Sequence, residues 1–287
     1  MNKSVYLLVL FILTACREKS TDQEGYYLEM NLVSGDRFLM TLQMEQDLET
    51  TFNGEPAFVE QFFNFDILTE IDSTKDGNHF TTLNRYQRIQ MQQQIIRETD
   101  TTMYYLDTDE PQTAYLPTSA LLNYYLKLIE LPYKSVIDRM GNVISTDLHQ
   151  MNLAAGGKQY SSPYQHLFTY GVIYPGFRLQ EKDTWEKEVS YRDSTVSIEG
   201  MLHYTLEACD GEKALISMKG KFKSTGKGLN AATKMVLEQS GQIWIYMDSG
   251  WIKDAEITQT IRYNQPESTL NEQIISSRIF LKGTPLK

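Results

Sequence analysis

The chain has 287 residues, enough for one large β domain or two smaller ones around a sizeable core. Its 27 basic and 37 acidic residues leave a formal net charge of −10. Such a surface repels phosphate backbones and anionic headgroups, which excludes a nucleic-acid partner and leaves any membrane association to something other than charge.

The most specific signal lies in the first sixteen residues. Lys3 gives a positive start, Val5 to Leu13 is an unbroken run of nine apolar residues, and Leu13-Thr14-Ala15-Cys16 closes it. A run this short does not cross a bilayer, which takes roughly 20 residues in a helix. The ending resembles the lipobox of bacterial lipoproteins. The resemblance implies a signal peptide over residues 1–15 and cleavage before Cys16. It also implies a diacylglycerol on the Cys16 thiol and an acyl chain such as palmitate on the new amine. Each buried methylene contributes about 0.8 kcal/mol, so three chains anchor where one alone would not. The expected location is the cell envelope, at the outer membrane, on either face, because Arg17 stands where inner-membrane lipoproteins carry aspartate. With Cys16 lipidated, Cys209 has no partner for a disulfide. It reads as a small, semi-buried side chain at a strand end.

Residues 16–25 are polar and aperiodic and read as a tether, leaving 26–287 as the β-rich domain. Tyr27 to Val33 and Arg37 to Met44 alternate apolar and polar residues around a turn at Ser34-Gly35-Asp36. Asn53-Gly54 and Asp76-Gly77 mark hairpins between long strands, Phe58 to Ile71 before the second and Phe80 to Met91 after it. Thr118 or Ser119 caps a helix with Leu121, Leu122, Tyr125, Leu128 and Ile129 on one face, ended by Pro132. A buried strand is the competing reading there. Another hairpin turns at Gly141-Asn142. Residues 151–176, rich in glycine, proline and tyrosine, form a crossover between halves 26–150 and 177–287. Strands follow at 185–198, 201–208, 213–222, 241–247, 251–263 and 271–281, with a short helix or loop over 226–239.

The two halves echo one another. Gly35-Asp36-Arg37-Phe38 matches Lys182-Asp183-Thr184-Trp185, Asp76-Gly77 matches Asp210-Gly211, and Asp138-Arg-Met-Gly141 matches Asp248-Ser-Gly250. The alternative is that any antiparallel β protein yields Asp-Gly hairpins at intervals. Together with the lipobox, the early Gly-Asp-Arg-Phe, the glycine turn of Val136 to Val143 and the stretch from Pro175 to Trp185, the chain resembles uncharacterised lipoproteins of the Bacteroidota that carry a domain of unknown function. Lys182 departs from the usual glycine. The resemblance implies no activity and no catalytic residue.

Residues for chemistry are sparse. His79, His149, His166 and His203 lack metal-ligand spacing, and no nucleophile elbow or phosphate loop is present. Asp72 to Gly77 partly resembles a calcium loop, but Lys75 opposes a cation and Leu83 stands where the closing glutamate belongs. Asp107, Asp109 and Glu110 cluster as a hydrolase's acids would, although adjacent acids rarely face each other across a substrate. No metal or cofactor is expected. The 18 tyrosines are the more informative feature, with Tyr160, Tyr164, Tyr170 and Tyr174 of the crossover as candidate ligand-binding residues.

The expected architecture is mainly β, an antiparallel, strongly curved sheet or half-barrel with one or two short helices. Its expected role is non-enzymatic: binding an apolar, glycan or peptide ligand, or scaffolding the envelope. An accessory subunit of an outer-membrane complex and a hydrolase with a dispersed acidic site are the alternatives.

Overall fold

The structure is a computed structural model that describes residues 25–52, 55–147, 172–192, 197–224, 234–264 and 273–286. The expected signal peptide, Cys16, nearly all of the expected tether and most of the expected crossover lie outside the described residues.

The first half contains β1 (Tyr26–Tyr27), β2 (Arg37–Phe52), β3 (Glu55–Lys75), β4 (His79–Arg97) and β5 (Thr101–Asp107), then α1 (Ser119–Glu130), β6 (Tyr133–Asp138) and β7 (Val143–Asp147). The second contains β8 (Arg178–Leu179), β9 (Thr184–Arg192), β10 (Ser197–Cys209), β11 (Lys213–Ser224), β12 (Lys234–Tyr246), β13 (Ile252–Asn264) and β14 (Gln273–Leu286). Twelve of these strands make one antiparallel sheet in the order β7-β6-β4-β3-β2-β14-β13-β12-β11-β10-β9, with β5 alongside β4. The sheet is not closed. Its last strand fastens to its first long one, Ile275 opposite Leu48 through Leu286 opposite Arg37, so both halves share one sheet.

Curvature follows from what the sheet buries. Phe38 of β2, Phe80 of β4, Ile137 of β6 and Leu206 of β10 join one buried cluster although they sit on distant strands. One face must therefore roll onto itself. Phe38 stacks on Trp251 with ring centroids 4.5 Å apart, and Trp185 stacks on Tyr204 at 5.1 Å. Helix α1 forms where its cap predicts, with the Leu121 N–H donating to Thr118 Oγ1. It lays Leu128, Leu122 and Ile129 against Ile89 and Met91 of β4.

Three expectations need correction. The alternation of Tyr27 to Val33 does not make a strand of that length: β1 stops at Tyr27, paired with β8, and Leu28, Met30 and Leu32 are buried outside any strand. Residues 234–239, read as helix or loop, belong to β12. Lys, Met, Leu, Glu and Gln there favour a helix locally, but Met235 and Leu237 alternate into the core, and sheet pairing overrides propensity. The single strand expected over 185–198 is divided, because β9 ends at Arg192 and β10 begins at Ser197.

The sequence echo has a physical counterpart. The Asp36 carboxylate accepts the Val33 N–H at 2.8 Å, and the Asp183 carboxylate accepts the Gln180 N–H at 2.7 Å. In each turn the preceding residue donates its N–H across the sheet, Gly35 to Ile71 and Lys182 to Leu206, at 2.8 and 2.6 Å. The segment ahead of each turn also crosses over. Asn31 donates its N–H to Ser249 of the second half at 2.9 Å, and Tyr174 donates its N–H to Met140 of the first at 2.7 Å. Both crossings pass over a glycine with positive φ. A Cβ on Gly250 would lie 2.0 Å from the Glu29 carbonyl, and one on Gly141 would lie 2.5 Å from that of Val172. Each half's leading segment is thus strapped against a glycine turn of the other half, the β12–β13 turn for the first half and the β6–β7 turn for the second.

Candidate functional site

Alternation along the strands gives the sheet two chemically different faces. Outward point Gln43, Glu45, Asp47 and Glu49 of β2, Lys219, Lys221 and Lys223 of β11, and Glu256, Thr258 and Arg262 of β13, all exposed. Inward point Phe38, Met40, Leu42, Met44 and Leu48 of β2, Ile257 and Ile261 of β13, and Ile279 and Leu281 of β14. The straps close one end of this inner face through Leu28, Met30, Leu32, Val172 and Tyr174, all buried. Helix α1 covers it over β4. Toward the opposite end, Met44, Gln46 and Leu48 of β2, Gln61 and Phe63 of β3 and Ile275 of β14 are only half-buried, although Ala57 and Val59 beside them on β3 are buried, and this half-buried part of the face is where a ligand could enter.

The registers carry a second feature of this face. Gln239 lies opposite Gln259, Gln259 opposite Ser277, Ser277 opposite Gln46, Gln46 opposite Gln61, and Gln61 opposite Gln93. A single uncharged polar row therefore crosses six consecutive strands, about 24 Å at the usual strand spacing. The rows beside it are apolar. One runs Ile257, Ile279, Met44, Phe63, Met91, and the other runs Leu237, Ile261, Ile275, Leu48, Val59, Ile95. Gln46 Nε2 donates to Ser277 Oγ at 3.0 Å. Gln239 and Gln259 are 6% and 3% exposed, and Gln239 Oε1 and Gln259 Nε2 find no hydrogen-bond partner among the described residues.

Other candidates have structural partners. Arg88 Nε donates to Asp107 Oδ1 at 3.0 Å, Gln90 Nε2 donates to Asp107 Oδ2 at 2.9 Å, and Arg88 also lies 3.3 Å from Asp109. The hydrogen bond from Arg88 holds the Asp107 pKa down to about 2 despite burial, so this carboxylate stays ionised and clamps β5 to β4. Asp72 pairs with Lys134 at 3.0 Å, and His203 with Glu186 at 2.8 Å. Among the described residues no three His, Cys, Asp or Glu side chains converge as a metal site would need. Cys209 is half-buried, and desolvation raises its pKa.

Of the crossover tyrosines, Tyr160, Tyr164 and Tyr170 lie outside the described residues. Tyr174 is fully buried, and its hydroxyl donates to the Gly250 carbonyl. Burial pushes its pKa up, which keeps that donor protonated. It fastens a strap to the core and presents no surface to solvent. The polar row, which the sequence reading missed, left a trace in the sequence: an apolar-x-Gln-x-apolar step within β12 and β13, echoed by Ser277 in β14 and Gln46 in β2.

Residues 148–252 match a family of unknown function, DUF6263. No curated protein matches the chain. Among solved structures the chain is similar to one described as "Lipid-protein interactions in lipovitellin", with a TM-score of 0.50 and 9% identity over 88% of this chain. The chain spans only 25% of that lipovitellin chain. OccK5 of Pseudomonas aeruginosa aligns over 88% of this chain and 99% of its own at 7% identity and a TM-score of 0.20. The β domain of the Bordetella autotransporter BrkA aligns over 86% and 98% at 8% identity and 0.22. Those two scores are too low for any argument. The likeness to lipovitellin is one of fold alone.

Proposed function

We propose that this protein is a non-enzymatic binder of apolar ligands of the lipid class, held at the cell envelope by acyl chains on Cys16. The observation that carries the reading is the polarity of the sheet, apolar inside and charged outside. A membrane-spanning barrel is built the other way, with apolar residues facing outward to lipid. A sheet with this polarity stands in water and offers its inner face to a guest, and the half-buried part of that face gives the guest a place. The fold likeness to lipovitellin, whose structure is described in terms of lipid–protein interactions, agrees with it. The anchor follows from the lipobox resemblance, and an outer-membrane location with it.

Native mass spectrometry of the full-length chain, equilibrated with an envelope lipid extract, tests the binding. Discrete adducts of lipid mass that disappear on delipidation are expected. A spectrum with the protein mass alone at saturating lipid would remove the reading. For the anchor, Cys16→Ala is expected to abolish uptake of labelled fatty acid and membrane fractionation. Retention of both by the variant would show that Cys16 is not the lipidated residue.

A further inference from the structure

The polar row deepens that reading, on which it rests, by specifying what kind of lipid fits. We infer that Gln239 and Gln259, with Ser277 and Gln46 beside them, bind the uncharged polar centre of an acyl-chain lipid that carries a hydroxyl or amide N–H next to a carbonyl.

The argument begins with what an inner face normally does. Burying an amide without a partner costs about 1–3 kcal/mol per unsatisfied atom, and an apolar side chain of the same shape avoids that cost. Here the central stretches of the inner phases of β12, β13, β14 and β2 are apolar except at one level, where four strands in succession place Gln239, Gln259, Ser277 and Gln46 in direct register; at the strand ends a separate polar pair faces inward, with Gln273 Nε2 donating to Thr50 Oγ1 at 3.4 Å. Scattered polar substitutions would fall at unrelated levels. A continuous row marks one height on the wall at which hydrogen bonding is wanted.

The unpartnered atoms define the chemistry. Gln239 Oε1 is an acceptor and Gln259 Nε2 a donor, on directly opposed residues. Among the described residues Gln239 Nε2 meets the Met218 sulfur, at 3.9 Å. A ligand that satisfies both open atoms brings a donor and an acceptor side by side: a hydroxyl beside an ester carbonyl, or an amide. No charged side chain stands in the row. A carboxylate or phosphate would find no cation there, and it would keep its desolvation cost. The apolar rows lie about 7 Å to either side of the polar one, two residues along each strand, so acyl chains leaving the polar centre meet Ile257 and Ile279 on one side and Leu237, Ile261 and Ile275 on the other. The row is buried on β12 to β14 and half-buried at Gln46, Gln61 and Gln93, so the ligand reaches it from the β2–β4 side.

The test uses the full-length chain and three probes: dioctanoylglycerol, its hydroxyl-acetylated form, and hexadecane. Wild type is expected to bind dioctanoylglycerol about tenfold more tightly than the acetylated form, one well-placed hydrogen bond's worth of discrimination. Gln239→Leu/Gln259→Leu replaces the two buried amides with apolar side chains of similar bulk and is expected to fold with an unchanged or higher melting temperature. It should lose the tenfold preference while binding hexadecane as wild type does. Equal affinity of wild type for the two glycerides, or a preference that survives in the double variant, would overturn the assignment of the row and leave apolar binding standing. Failure of all three probes to bind would overturn both readings.

Discussion

Single residues show how the fold spends its polar groups. Asp107 is 2% exposed and takes hydrogen bonds from Arg88, Gln90 and the Asp109 N–H. Its pKa falls from 3.8 to about 2, so the folded state holds its proton less tightly than the unfolded chain does. The resulting stability is fully present above pH 4 and is lost as pH falls toward 2; it amounts to about 2 kcal/mol. Asp107→Asn should therefore lower the unfolding free energy by about that amount at pH 7, with the gap to wild type narrowing below pH 4 in urea titrations. Gly250→Ala should cost more, over about 2 kcal/mol, because a Cβ meets the Glu29 carbonyl at 2.0 Å on a backbone with φ of +68°. Lys182 runs the other way. It occupies the turn position where the first half has Gly35, at φ +73°, and this left-handed backbone costs a side-chain-bearing residue about 1–2 kcal/mol. Its ion pair with Glu207 is exposed and contributes at most about 1 kcal/mol. Lys182→Gly is expected to leave the melting temperature unchanged or raise it, and a clear drop would mean that the ion pair outweighs the strain.

At the scale of elements, local signals were legible and long-range ones were not. The cap at Thr118, the stop at Pro132 and the glycine turns all act within a few residues, and helix α1 and the hairpins at Asp76-Gly77 and Gly141-Asn142 form where they point. Thr118→Ala should cost about 1 kcal/mol by leaving the Leu121 N–H with a weaker partner, visible as a lower thermal midpoint. The start of β12 was misread because Lys234 to Gln239 has helical composition, and only pairing with β11 and β13 makes it a strand. The polar row was invisible for a related reason. Gln46 and Ser277 are 231 residues apart in sequence, and nothing in β2 alone says that its glutamine will meet a serine from β14. The strap exchange is likewise a long-range fact: the Asp36 and Asp183 turns could be matched by eye, but the hydrogen bonds that Asn31 and Tyr174, ahead of them, send into the opposite halves depend on topology.

For the whole molecule, the organising fact is that one sheet carries charge on its outer face and apolar rows on its inner face, with straps at one end and a helix over one flank. That arrangement makes the inner side of β2, β3 and β14 the face on which the proposed apolar guest would meet the protein. Photo-crosslinking with a diazirine-labelled acyl lipid, followed by peptide mass spectrometry, tests this most directly. Adducts are predicted on the inward residues Met44, Leu48, Phe63 and Ile275, and they should be competed away by unlabelled lipid. Labelling confined to outward positions such as Gln43 and Glu45, or labelling that competitor does not reduce, would contradict the account.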